Sequence, residues 1–397
     1  SVCLLEKGAE IGSHILSGAV FEPQTLFDLF PEDAKNCPTL KTPVAKDDLY
    51  WLISNNKSIK IPSWLMPKSL HNKGNFIISL GELCQWISEK AMELGVDIFP
   101  GFPAQNYLTD ESGRVIGIAT GDMGIDKEGN QKGTYTPGMD ILAKQTIFAE
   151  GARGHLGKRL IKEFNLDEGK TPQHFAIGFK EVWEVDNNKH SPGDVVHSMG
   201  WPLKGGTSGG GFLYHFENNR IAVGLIIDLN YSNPSHNTFQ EFQQFKQHPS
   251  IKQYLESGKR VSYGARAITK GGINSLVKME FDGGMIVGCD AGTLNPSKIK
   301  GSHCALQSGI LAAEYINKVL LEENCDFDDL FKKSALYKEL YESRNFSAAM
   351  HKFGFYLGAM YNFIESNIFQ NKLPFTIKDG NRDCDSLNLS KASPIKE

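Results

Sequence analysis

The chain has 397 residues, 40% hydrophobic and 22% charged, the balance of an ordinary globular protein of two or three domains. Forty-two Lys and Arg against 46 Asp and Glu leave a net charge of −4, which disfavours a basic nucleic-acid binder. No run of ~18 apolar residues occurs, so no spanning helix is predicted, and the opening residues lack the pattern of a secretory signal.

Val2-Cys3-Leu4-Leu5 reads as a buried strand with no lead-in. Chains rarely open inside a core strand, so the sequence reads as a fragment lacking its beginning. Residues 21–73 are rich in Pro and turn residues. Ile77 to Leu94 has apolar residues at helical spacing (Leu80, Leu83, Cys84, Trp86, Ile87, Ala91) and predicts a helix. Strands are predicted at 97–100, 115–120 and 143–150, with a polar loop or hairpin at 122–140. Residues 170–235 look largely β, with Ile221 to Ile227 the clearest strand. One or two helices follow at 237–258, then a strand at 285–288 and a helix from His303 to Val319. Helices continue to about 370, and the tail from Thr376 is polar and loop-like. The cysteines (Cys3, Cys37, Cys84, Cys289, Cys304, Cys325, Cys384) include no C-x-x-C pair. Neither a disulfide framework nor a zinc site is expected, and most of them read as buried small hydrophobes. The alternation predicts an α/β nucleotide-binding domain split around a mostly β one.

Three stretches carry chemistry. Glu6 ends a strand, where an acid can accept bonds from both ribose hydroxyls; in a Rossmann unit it lies about 20 residues beyond the glycine loop. Too few residues precede Glu6 for that loop to be in this chain. A strand-terminal Glu capping the next helix is the plainer reading. Thr146 to Gly154 (TIFAEGARG) ends a strand in a small-x-Gly turn, Ala149-Glu150-Gly151, that lets backbone approach a dinucleotide; many ordinary strand ends also carry Gly. Gly288-Cys289-Asp290-Ala291-Gly292 delivers Asp290 to the carboxyl end of a strand, where α/β sheets bind ligands. Gly301 and Ser302 then open a helix whose free amides favour an oxygen-rich group such as a flavin pyrimidine edge. An ordinary strand–helix unit is the alternative. Ribose acid first, Ala-x-Gly strand next, Gly-x-Asp strand and helix last is the order of parts in FAD-dependent oxidoreductases.

Along nearly its whole length the chain resembles the electron transfer flavoprotein–ubiquinone oxidoreductase family. The stretches that carry this are Glu6-Lys7-Gly8 to Ile15-Leu16-Ser17-Gly18-Ala19, Phe148 to Gly151, Gly200 to Leu203, Gly211 to His215, His248 to Ile251, Tyr263 to Ala267 and Lys298 to His303. The resemblance implies a mixed α/β and α+β fold. A split Rossmann-like FAD-binding domain would occupy 1–20, 74–168 and 257–325. An inserted, mostly β ubiquinone- and membrane-binding domain would occupy 21–73 and 169–256. A helical segment, 326–397, would lead toward an iron–sulfur domain that holds a [4Fe-4S] cluster outside this chain. FAD would be held by Glu6, Ser17, Gly18, Ala149, Gly151, Asp290, Gly301 and Ser302. Ubiquinone would meet Gly271 and Gly272, whose missing side chains bare a flat backbone. No catalytic side chain and no metal ligand is expected in this chain; Cys325 and Cys384 are isolated, and His14 and His303 are expected to serve structure or the flavin edge. Partners would be electron transfer flavoprotein, ubiquinone and a membrane surface, with no nucleic acid, at the bacterial cytoplasmic membrane or the matrix side of the mitochondrial inner membrane. Two apolar segments are candidates for membrane contact: 49–67 and Phe353 to Ile364, the latter only about 18 Å long as a helix and suited to lie in the interface. Core packing is the competing reading of both. A geranylgeranyl-reductase-like or hydroxylase-like flavoenzyme, and a flavin-free membrane- or partner-binding relative, remain as alternative readings.

Overall fold

Apolar and β-branched residues are densest between 175 and 269, and there the chain builds its largest sheet. In the computed structural model, which describes residues 1–16, 18–203 and 207–388, seven strands lie in the order Lys259–Thr269, Phe175–Glu184, Arg220–Asp228, Gly209–Phe216, Asp194–Gly200, Lys46–Leu52 and Ser58–Ile61. Neighbours are antiparallel except Asp194–Gly200 with Lys46–Leu52. Ile221, Val223 and Ile227, fully buried on one face, pack on Phe242 and Phe245 of the helix Thr238–Gln247. Ala222 on the other face joins Ile77, Val182 and Phe212. Both faces are covered, so this inner strand is apolar from Ile221 to Ile227 and does not alternate. The strand Lys259–Thr269 pairs along its length with Phe175–Glu184. The sheet therefore continues past the expected boundary at 257, and residues 259–269 lie with the mostly β part.

The nucleotide-binding half is assembled from short parallel pairs. Val2–Glu6 pairs with Val96–Pro100, and Thr146–Phe148 with Gly284–Ile286. Among the described residues the two pairs are not hydrogen-bonded to each other. The opening strand differs from the expectation of burial: Val2 is 61% and Leu4 42% exposed. The second pair is buried against Leu156, Leu160, Ala312 and the helices Phe327–Lys333 and Ala335–Glu342.

Other elements follow the prediction with shifted ends. Ile77 and Ile78 lie in a strand, Phe76–Ile78, and the helix is Leu80–Glu93. The β-branched pair favours the strand, and the Ser79 side chain caps the helix by accepting from the Glu82 amide. The expected hairpin forms from Met123–Ile125 and Gln131–Thr136, and the helix after Asp290 runs Ser302–Leu320. All seven cysteines are free, but Cys37 and Cys304 alone are buried, while Cys3 and Cys384 are exposed. The helix Phe346–Asn367 is interrupted at Gly354 (φ 74°, ψ 177°), so the apolar segment at 353–364 is not one straight rod.

Candidate functional site

The parallel register sets Phe148 beside Ile286, so both strands end on the same edge and release their next residues together. From one comes Ala149-Glu150-Gly151, with Gly151 at φ 83°; from the other comes the one-turn helix Gly288–Ala291 with Asp290. Asp290 Oδ1 accepts from the Gly154 amide at 3.2 Å. Glu150 Oε2 accepts from the amides of Leu156 and Gly157 at 2.7 and 2.8 Å. A Cβ on Gly157 would lie 2.3 Å from Asp290 Oδ1, so glycine there is what admits the carboxylate. Burial pushes the Asp290 carboxyl up to about 7, the Glu150 charge adds to this, and the backbone amides oppose it. Its Oδ2 is buried with no partner. The helix Ser302–Leu320 packs on the same turn: Ser308 Oγ accepts from the Gly288 amide at 2.9 Å. Gly301 supplies no side-chain cap to that helix, leaving its first amides for a ligand.

The structure sets Ala149 and Gly151 on the strand end whose following turn bonds Asp290, and Gly301 and Ser302 at the start of the helix whose Ser308 bonds Gly288. Glu6 stands apart on the other strand pair, its Oε1 accepting from the Gly8 amide at 2.6 Å. Gly18 is buried in packing: a Cβ there would meet Ala222 Cβ at 2.3 Å, and its carbonyl accepts from Lys180 Nζ at 2.8 Å. Ser17 lies outside the described residues. His303 is buried and bonded to Glu339 Oε1 at 2.8 Å, and His14 is exposed. An orphaned carboxylate oxygen, an uncapped helix start and a cradle that only glycine fits are together suited to the hydroxyls and carbonyls of FAD. The described residues do not suit a [4Fe-4S] cluster, since the cysteines do not gather.

Gly271 and Gly272 form a tight turn after the strand Lys259–Thr269, with Gly272 buried at φ 66°. The Gly271 amide donates to Gln173 Oε1 at 2.8 Å. Gly272, at the first position of a short 3₁₀ turn, has no carbonyl of that turn to bond. The glycine pair adjoins the Asp290 segment: Thr269 Oγ1 donates to the Cys289 carbonyl at 3.1 Å, and Pro296 lies 3.7 Å from where a Gly272 Cβ would be.

Sequence reasoning missed a buried polar network beside this turn. His174 Nδ1 meets Asp383 Oδ1 at 2.8 Å, His351 Nδ1 meets Asp379 Oδ2 at 2.7 Å, and Lys270 Nζ donates to Asp228 Oδ2 at 2.6 Å. No local motif announces these residues; each stands alone in the sequence.

The two apolar segments come together. Trp51 and Tyr356 are in edge-to-face contact with ring centroids 5.9 Å apart. Around them Ile53, Ile59, Trp64, Tyr356, Leu357 and Met360 are each at least half exposed. Among the described residues no helix is long and apolar enough to cross a membrane.

Comparison with solved structures defines the class. The fold matches a geranylgeranyl bacteriochlorophyll reductase-like protein from Thermoplasma acidophilum (TM-score 0.61, 15% identity, 91% of this chain and 89% of that one). It also matches a flavin-dependent brominase (TM-score 0.59, 14% identity, 93% and 84%). This is the mixed α/β fold of FAD-dependent oxidoreductases. Residues 175–268 match the ubiquinone-binding family of ETF-QO. The chain is 56% identical to the electron transfer flavoprotein-ubiquinone oxidoreductase of Pseudomonas aeruginosa, over 99% of this chain and 73% of that protein. It is 43% identical to the mitochondrial enzyme of Oryza sativa, over 100% and 68%. The chain belongs to the electron transfer flavoprotein–ubiquinone oxidoreductase family.

Proposed function

We propose that this chain takes electrons originating in reduced electron transfer flavoprotein and delivers them through FAD to ubiquinone at a membrane surface. The observation that carries this reading is adjacency: the glycine turn at 271–272 packs on the segment bearing Asp290, through Thr269, Cys289 and Pro296. A quinone at that turn and a flavin at Asp290 would share one wall, as short-range electron transfer requires.

Glu6, Ser17, Gly18, Ala149, Gly151, Asp290, Gly301 and Ser302 would hold FAD; when bound, FAD supplies the redox chemistry. Asp290 would accept hydroxyl hydrogen bonds, and the helix start at Ser302 would stabilise negative charge on the ring edge. Gly272 would offer its amide to a quinone carbonyl, and its lack of a side chain keeps the approach open. Electron transfer needs no nucleophile, in keeping with a site without a catalytic triad. The exposed patch around Trp51 and Tyr356 would seat the protein on lipid without spanning it, at the bacterial cytoplasmic or mitochondrial inner membrane. We assign 21–73 and 169–269 to the quinone- and membrane-binding part, the remainder up to 325 to FAD binding, and a [4Fe-4S] cluster to sequence outside this chain.

Gly272→Trp in the full-length protein tests the pocket. The flavin absorbance is expected to stay and ubiquinone reduction to be lost. Turnover at the normal rate overturns the assignment.

A further inference from the structure

Reduction of a quinone adds two electrons and two protons: both C=O oxygens become O–H. The electrons come from the reaction described above; the protons need their own supply. We propose that a line of buried and half-buried acids and bases, Asp383, His174, Asp379, His351, Asp228 and Lys270, carries those protons from solvent to the glycine turn. This rests on the quinone lying at Gly271 and Gly272.

The outer end is open to water. His174, His351 and Asp379 line a cleft of about 280 Å³, whose rim carries Lys352, Lys378 and Arg382. From there acid and base alternate. Asp383 Oδ1 bonds His174 Nδ1 at 2.8 Å, His174 Nε2 faces Asp379 Oδ2 at 3.3 Å, and that oxygen bonds His351 Nδ1 at 2.7 Å. The two rings touch edge to face, with centroids 4.5 Å apart. His351 Nε2 then faces Asp228 Oδ2 at 3.9 Å, and that oxygen accepts from Lys270 Nζ at 2.6 Å. Neither this contact nor that of His174 Nε2 is a hydrogen bond, but the groups on either side of each have capacity to spare. His351 Nε2 and Asp228 Oδ1 are both buried without a partner, so a small rotation of the ring closes the line.

The inner end is tied to the turn. Lys270 directly precedes Gly271; its amide donates to the His174 carbonyl at 2.9 Å. Gln173, next to His174, accepts from the Gly271 amide, and Ser347 Oγ donates to the Lys270 carbonyl at 3.1 Å. A proton leaving Lys270 Nζ for the quinone oxygen is replaced through Asp228 from His351, and His351 is refilled through Asp379 from His174 or cleft water. The second proton repeats the path.

The charge states suit this traffic. Burial works against charge on His174, but its bonds to Asp379 and Asp383 win and raise it to about 9. His351 is raised by Asp228 and Asp379 against burial and against the Lys270 and His174 charges. Burial opposes the charge on Asp228, yet the Lys270 and His351 charges lower it to about 2. His174 thus carries a proton at neutral pH, and His351 is biased in the same direction. Asp379 Oδ2 lies between the two rings, in reach of His174 Nε2 and bonded to His351 Nδ1.

The test uses the full-length, flavin-loaded protein, reduced and then mixed with a short-chain ubiquinone or with ferricyanide, which takes up no proton. With His351→Gln the ubiquinone rate is expected to fall at least about ten-fold, to drop further as pH rises, and to recover with added imidazole, while the ferricyanide rate is unchanged. In the unmodified protein, deuterated water is expected to slow the ubiquinone reaction and leave the ferricyanide reaction alone; this arm needs no variant to fold. Equal slowing of both acceptors in His351→Gln, or an unchanged ubiquinone rate, overturns the relay. Gly272→Trp separates the two readings. If it blocks ubiquinone while His351→Gln does not, the relay alone fails; if it turns over ubiquinone normally, the pocket fails and the relay with it.

Discussion

The seven-stranded sheet and the parallel strand pairs use similar residues to different effect. In the sheet, Arg220–Asp228 is paired on both edges and covered on both faces, so Ile221, Val223 and Ile227 are fully buried. In the pair Val2–Glu6 and Val96–Pro100, equally apolar residues remain exposed, and each strand has an unpaired edge among the described residues. An apolar strand becomes core only when neighbours close both its edges and its faces. The first region closes its own core; the second leaves strand edges unpaired among the described residues.

The sharpest way to break this contrast is to cut a side chain from each region. Phe242→Ala, in the sheet core, is expected to cost about 3–5 kcal/mol. Leu4→Ala on the exposed strand should cost less than about 1 kcal/mol, because little contact is lost. Denaturant titration of both variants measures the difference; equal costs would mean that the two regions melt as one. Next comes the ligand. Asp290→Ala should weaken FAD binding in the full-length protein by about ten- to a hundred-fold, the worth of ~1.5–3 kcal/mol for a hydrogen bond to a charged group. Flavin titration reads this out, and it should leave the stability of the sheet unchanged.

A smaller effect is set by pH. His174 is raised above its unfolded value of about 6.5 to about 9 by the carboxylates of the 376–388 segment. Its contribution is therefore full below the unfolded value and is lost as pH rises through about 9. Limited proteolysis should show residues 376–388 loosening between those limits while the sheet stays protected. The smallest signal is local: hydrogen exchange is expected to be fast at Val2–Glu6 and slow at Arg220–Asp228, and similar rates would erase the comparison.

Much of this was legible in the sequence because its signals are local. Ala149-Glu150-Gly151, Gly288 to Gly292 and Gly301-Ser302 are contiguous, and each places a strand end or helix start by itself. Two errors share one cause, reading apolar content as burial or as helix. Val2 to Leu5 lacks the neighbours that burial needs, and Ile77-Ile78 fits the helical spacing but is held in a strand. The missing side chain of Gly18 also admits Ala222, a packing role that no local signal announces. The network of His174, Asp228, His351 and Asp379 was invisible, since no spacing relates residues so far apart. Packing of the helix Phe346–Asn367 and of the 376–388 segment against the sheet makes them neighbours, and Asn345 Oδ1 helps to fix that segment by accepting from the Ile377 amide at 2.8 Å.

The break at Gly354 has a mechanical consequence. On one side of it, Ser347 holds the carbonyl of Lys270; on the other, Tyr356 leans on Trp51 amid the exposed apolar patch. An unbroken helix would act as a stiff lever between the two. With helical φ and ψ broken at Gly354, the second half instead folds back on the first, where Asn362 Nδ2 donates to the Phe346 carbonyl at 3.2 Å and Tyr361 packs on Ala348 and Ala349.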